Sequence, residues 1–195
     1  MVAFALSRAV EATPKEKAVT TALVLTLIGA DRPGLVEAVS EAVLRHDGNW
    51  LESRLARLAG KFAGVVLVSV PESEVDALSA ALAALAEKGL RVAVEPTSEE
   101  SDLRSEVLQL EIVGHDRPGI VKEIAQLLAS HGVNVEDLTT HANSAPMSGY
   151  VIFQARARLS VPPGLDVEKL TRSIEEVAND LMVDVNFGVP PIEGK

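Results

Sequence analysis

Leu27–Val36 reads L-I-G-A-D-R-P-G-L-V, and Ile112–Val121 reads I-V-G-H-D-R-P-G-I-V, 85 positions later. Self-similarity at a fixed spacing is the mark of a duplicated unit. The register extends outward with no gap. Val39 matches Ile124, Val43 matches Leu128, His46 matches His131, and Asn49 matches Asn134. Further on, Gly64 matches Gly149, Val66 matches Val151, and Val68 matches Phe153. We read the chain as two copies of one module.

The segments around each D-R-P-G have a clear character. Thr21–Gly29 and Glu106–Gly114 are apolar runs ending at glycine, which predicts strands. After each turn, Leu35, Val36, Val39 and Val43, or Ile120, Val121, Ile124 and Leu128, fall at helical spacing. In the structural reading of D-R-P-G, Asp caps the helix and Pro enters its first turn, where a missing N–H costs nothing. Gly34 and Gly119 would let helix and strand pack closely. Gly48 and Gly132 are read as helix stops.

Leu51–Ala59 alone could be a helix, but its partner Val133–His141 alternates as a strand does, so the repeat makes both strands. Turns near Gly60 and Ala145–Pro146 lead into Ala63–Val70 and Gly149–Leu159, both rich in β-branched residues. Val75, Leu78, Leu82 and Leu85 predict a second helix ended by Gly89. In the other copy Val167, Leu170, Ile174, Val177 and Leu181 follow Asp166, a good N-cap. Short last strands fall at Leu90–Val94 and Val183–Phe187.

The order β-α-β-β-α-β, twice, predicts an α+β protein of two ferredoxin-like modules. Each is a four-stranded antiparallel sheet with two helices on one face. We divide the chain into an N-terminal extension (1–19), a first module (20–95), an acidic linker (96–104), a second module (105–188) and a tail (189–195). The modules are expected to pack on one another and the chain to form a homodimer.

A formal net charge of −10 argues against a surface built to grip nucleic acid. Lys61–Val66 is only loosely like an RNA-binding strand, and the second copy, with Pro146-Met147-Ser148-Gly149-Tyr150 there, does not keep the pattern. Absence of cysteine removes disulfides, thiolate metal sites and thiol nucleophiles. His46, His115, His131 and His141 are too scattered for a metal site. No apolar run reaches membrane-spanning length, and Met1–Leu6 makes a poor signal. We expect a cytoplasmic protein without a cofactor. Arg54, Arg57, Arg156 and Arg158 alternate with apolar residues, as on the solvated face of a strand. No nucleophile elbow or P-loop is present and two modules occupy the chain, so we expect no enzyme.

The D-R-P-G turn has a functional reading beside the structural one. A helix N-terminus offers N–H groups to a carboxylate, and the neighbouring Asp can take an ammonium, which together suit a zwitterionic amino acid. Asn49 and Asn134 open the second strand of each copy, which we place near this turn; an amide both donates and accepts. His115, a loop residue where the first copy has Ala30, adds an imidazole to the second turn.

The pattern (I/V)-G-x-D-R-P-G-(L/I)-V, a helix, and then G-V-N-V or D-G-N-W resembles ACT domains. A tandem pair resembles the glycine cleavage system transcriptional repressor family. The resemblance covers nearly all of residues 20–188. It implies amino-acid contacts, typically between modules, at Gly29, Ala30, Asp31 and Asn49 in one copy and Gly114, His115, Asp116 and Asn134 in the other. It also implies a protein partner, a transcription activator antagonised according to glycine status. The alternative is an adaptor or regulatory subunit that associates with an enzyme or with itself and binds no small ligand. Trp50 departs from the pattern and is bulky enough to fill a pocket in the first copy.

Overall fold

Leu23, Leu25 and Leu27 are buried while Val24, Thr26 and Ile28 between them are more exposed. That alternation is what a strand with one covered face produces. The computed structural model describes residues 19–97, 106–144 and 149–189. Positions 1–18 of the N-terminal extension, 98–104 of the linker, the Ala145–Pro146 turn and the tail beyond Val189 lie outside them. The chain divides into two compact units, Met1–Glu100 and Ser101–Lys195.

The first unit runs β1 (Thr20–Ala30), α1 (Leu35–Arg45), β2 (Asn49–Leu58), β3 (Lys61–Pro71), α2 (Val75–Ala83) and β4 (Leu90–Thr97). A short 3-10 turn over Ala84–Lys88 extends α2 to Gly89, which is left-handed at φ 75°. The second unit runs β5 (Glu106–His115), α3 (Ile120–Ser130), β6 (Asn134–Ser144), β7 (Val151–Val161), α4 (Val167–Leu181) and β8 (Val183–Gly188). Both sheets are antiparallel, with orders β2-β3-β1-β4 and β6-β7-β5-β8. The strand expected at Leu51–Ala59 is β2, which starts two residues earlier and ends at Leu58, Ala59 being a left-handed turn residue at φ 48°, and β4 runs on through Pro96 and Thr97 into the stretch assigned to the linker.

Each sheet buries one face under its own two helices. Val39, Val43, Leu78 and Leu82 meet Leu23, Leu25, Val66 and Val68 in the first core. Ile124, Leu128, Leu170 and Ile174 meet Leu108, Leu110, Leu159 and Val161 in the second. No polar side chain is buried in either, among the described residues. Asp166 caps α4, its Oδ1 accepting from the Lys169 backbone N–H at 3.0 Å. Asp166→Ala is expected to destabilise the second unit by about 1 kcal/mol, read as a lower urea midpoint at unchanged slope.

Several expectations need correction. The repeat is not gapless. Leu27 pairs with Gly64, whereas its counterpart Ile112 pairs with Ala155. The second hairpin therefore carries six extra residues, and Gly64, Val66 and Val68 correspond to Ala155, Ala157 and Leu159. The bulge in the second strand is kept in both copies, at Trp50/Glu52 and Val135/Asp137.

The helix caps differ too. Asp31 and Asp116 do not cap, and Pro33 and Pro118 precede the helices. The N-caps are Gly34 and Gly119, left-handed at φ 89° and 106° with no side-chain cap bond. Only glycine takes that conformation without strain. Close packing falls on other glycines. A Cβ on Gly29 would lie 2.7 Å from the Gly89 carbonyl oxygen, and one on Gly114 would lie 2.6 Å from Val183 Cγ1. After α1 the left-handed residue is Asp47, not Gly48. Gly48 is needed because a Cβ there would meet Val43 Cγ1 at 2.8 Å.

Candidate functional site

Each D-R-P-G turn leaves its sheet at the end of the first strand. The Asp31 N–H donates to the Gly60 carbonyl (3.0 Å), and the Asp116 N–H to that of Val151 (2.8 Å). Each turn is thus tied to the hairpin beside it. The arginines are tied on the other side. Arg32 donates to the Lys88 carbonyl, and Arg117 to the Asp180 carbonyl at 2.7 Å. Both satisfy backbone oxygens at the end of the second helical segment, where a cation is also favoured by the helix dipole. These arginines were not singled out from sequence. Their presence in both repeats was the available signal, but partners 56 and 63 residues away were not.

The two aspartates then diverge. Asp31 Oδ2 receives Arg57 Nε at 2.7 Å. The strand position corresponding to Arg57 is Ala142, and Asp116 is exposed with no ion pair among the described residues. His115 is the last residue of β5 rather than part of a loop. Its ring stacks on Tyr150 with centroids 5.0 Å apart and planes at 22°. Tyr150 belongs to the inserted hairpin residues, so the first copy, with Ala30, has no equivalent. The second turn thus has the Asp116 carboxylate, without an ion pair among the described residues, beside an imidazole and a phenol.

The helix N-termini are partly answered already. Glu37 lies in the first turn of α1 and Glu123 in that of α3. Both carboxylates complement the dipole and would compete with a bound anion. On the α2 side of the first turn lies an open groove of about 250 Å³ beside Arg32, Pro33 and Gly34, edged by Glu37, Glu41 and Lys88.

The expected neighbours Asn49 and Asn134 are not at these turns. Asn49 pairs with Ser69, which pairs with Ala22, near the start of β1. Asn134 pairs with Ser160, which pairs with Val107. Nine strand residues at ~3.3 Å each put either Asn about 30 Å from the Asp of its own unit. The helix after the turn carries the chain back across the sheet, so the second strand starts at the far end.

Between α3 and β6 the second unit has a wholly apolar cleft lined by Val121, Ile124, Leu128, Val135, Leu138 and Phe153. Val121, Val135 and Leu138 are 45%, 37% and 48% exposed. The first unit closes the same place with Trp50 and Leu55, both packed on its core. Trp50 therefore packs on the core at the far end of the sheet from the first D-R-P-G turn, not in a pocket at that turn. The remaining side chains are where the sequence reading put them. Arg54, Arg156 and Arg158 pair with Glu52, Glu111 and Glu136 at 3.3, 3.0 and 2.9 Å. His46 and His131 terminate α1 and α3, His46 Nδ1 lying 2.9 Å from Glu74 Oε2. His141 is exposed. Among the described residues no cluster of His, Asp and Glu could hold a metal, and no helix is long and apolar enough to cross a membrane.

Residues 21–95 match one ACT domain model and residues 108–159 match another. The chain belongs to the ACT-domain family. As a tandem ACT protein it is 23% identical to the glycine cleavage system transcriptional repressor of Escherichia coli, over 86% of this chain and 89% of that one. It is 28% identical to the phosphoserine phosphatase SerB2 of Mycobacterium tuberculosis, over 84% of this chain but 39% of the phosphatase. The chain therefore spans well under half of that relative. Among solved structures, an unknown protein from Galdieria sulphuraria aligns at TM-score 0.80 with 28% identity, over 89% of this chain and all of that one. A structure described as a glycine cleavage system transcriptional repressor aligns at 0.66 with 21% identity, over 88% and 98%, which bears on the fold.

Proposed function

We propose that this tandem ACT protein is a non-catalytic sensor of an amino acid, with its working site at the second D-R-P-G turn. One observation carries the choice of turn: Asp31 is neutralised by Arg57, whereas Asp116 has no ion pair among the described residues. An exposed carboxylate can take an ammonium, and backbone N–H groups at the start of α3 can take a carboxylate. His115 and Tyr150 border the same point. Two ACT domains and a repressor relative support a regulatory role, and they make glycine the first ligand to try. Signalling would pass through a protein partner, a transcription activator or an enzyme.

Asn134 enters this reading only across an interface. Strand β6 is a sheet edge and is exposed along its whole length. Antiparallel pairing of two such edges sets the start of one strand beside the end of the other. Between two copies of the chain, that sets the Asn134 of one at the end of the sheet from which the other's turn leaves. In this reading Gly114, His115 and Asp116 of one copy and Asn134 of the other contribute to one site. Gly29, Ala30, Asp31 and Asn49 are the counterparts, with Asp31 already occupied.

Calorimetric titration of the full chain with a panel of amino acids, glycine included, tests this. Asp116→Asn is expected to weaken binding by about tenfold or more, as loss of a charge-assisted contact does. Asp31→Asn is expected to leave it within about twofold. The adaptor reading draws on Glu37 and Glu123, which already complement the helix ends. Absence of saturable binding across the panel would decide for it.

A further inference from the structure

The two units share a fold, yet the sheet faces turned away from their helices have opposite character. Partners directly opposite in an antiparallel ladder point to the same side, so the register identifies each face. In the second unit it carries Gln109, Glu111, Asp137, Thr139, His141, Gln154, Arg156 and Arg158, with Val113 a large apolar residue among them. In the first unit the centre is Thr26, set among Val24, Ile28, Val65 and Leu67, with Ala63 and Ala93 beside them. Ile28 and Val65 are 39% and 42% exposed. Charge is confined to the rims, Glu52 and Arg54 on β2 and Arg91 and Glu95 on β4. Duplication supplies the control: the fold tolerates a polar face here, and only the first unit has an apolar one.

We infer that this face of the first unit is an interface with the same face of a second copy of the chain. The pattern is self-complementary about a two-fold axis running across the strands at the level of Thr26. Val65 and Ala93 lie at that level and meet their own mates. Val24 and Glu95 lie two residues to one side, Ile28 and Arg91 two residues to the other. The axis therefore sets Val24 over Ile28 of the second copy, and large Leu67 over small Ala63. It also sets Arg91 of each copy over Glu95 of the other. A two-fold axis along the strands would instead face Glu52 with Glu95. Arg54 meets its own mate at the rim, where Glu52 at 3.3 Å already partners it.

Four strands ~4.8 Å apart and roughly eight residues long present about 500 Å² per copy. Two such faces bury about 1,000 Å², the lower limit of a specific interface. The contact is a reversible dimer sensitive to single substitutions. It is independent of the ligand reading, since Asp116 is on the other unit.

Sedimentation equilibrium of the full chain, from low micromolar to submillimolar concentration, tests this. Wild type is expected to show a monomer–dimer equilibrium. Val65→Lys, which brings two like charges onto the axis, is expected to abolish the dimer while circular dichroism is unchanged. Arg91→Glu is expected to weaken it about tenfold, and adding Glu95→Arg to restore it, as for any swapped charge pair. That pair tests the axis even where Val65→Lys perturbs folding. Gln154→Lys, on the other unit's face, is expected to change nothing. A monomer at every concentration overturns the inference. So does a dimer indifferent to Val65→Lys, or a double swap no better than Arg91→Glu alone.

Discussion

Gly64→Ala is expected to unfold the first unit and leave the second intact. Gly64 sits opposite Leu55 inside the β2–β3 ladder. A Cβ there would lie 1.9 Å from the Arg54 carbonyl oxygen and 2.9 Å from the Leu55 Cα. Those are backbone atoms of the neighbouring strand, so no rotamer change relieves the clash. The strands must part, and β2 carries Trp50 and Leu55 away from the core they partly cover. Loss of a ladder and of that cover costs about 4 kcal/mol or more, enough to unfold a domain at the low end of the usual stability range of about 5–15 kcal/mol. Hydrogen exchange followed by mass spectrometry checks this by region. Amides of β1, β2 and β3 are expected to lose protection while those of β5 and β7 keep it. Wild-type protection in β2 would show that the strands accommodate the methyl.

Ile174→Ala is expected to have the mirror-image effect. Ile174 is fully buried in α4, with Leu170 and Ala178 beside it on the same helix face. Its core contains Ala155 and Ala157 where the first unit has Gly64 and Val66, and no polar group can draw water into the space vacated. Removing three carbons from such a site costs about 2–5 kcal/mol, the lost transfer energy plus a cavity. The second unit's urea midpoint is expected to fall with little change in slope, while the first unit's transition stays in place. A shift under about 1 kcal/mol would mean the core collapses around the gap.

The order of elements was legible because the repeat supplied a second opinion. Leu51–Ala59 passes for a helix in isolation, and only its alternating partner shows it to be a strand. The Asp166 cap was legible because it depends on residues three apart. What escaped were matters of long-range geometry. Gly64 and Gly149 looked equivalent, yet one is needed for a backbone approach and the other is a left-handed hairpin residue with nothing near it. The inserted residues between them shift the alignment, and they also bring Tyr150 to His115. The Arg57–Asp31 pair joins residues that no local pattern connects. The position of Asn49 was within reach, because an 11-residue helix of about 16 Å returns the chain toward the opposite end of the sheet.

Arg57 has a consequence for signalling if the ligand reading holds. Its guanidinium stands at Asp31 where, on that reading, an incoming ammonium would, so the first turn would be occupied from within. Such a chain registers one ligand at a time. Its dose–response is a graded hyperbola with no threshold, and any steepness has to be recruited from another chain. On the same reading, removing the guanidinium with Arg57→Ala would give the chain two receptors side by side, doubling its capacity without sharpening its response.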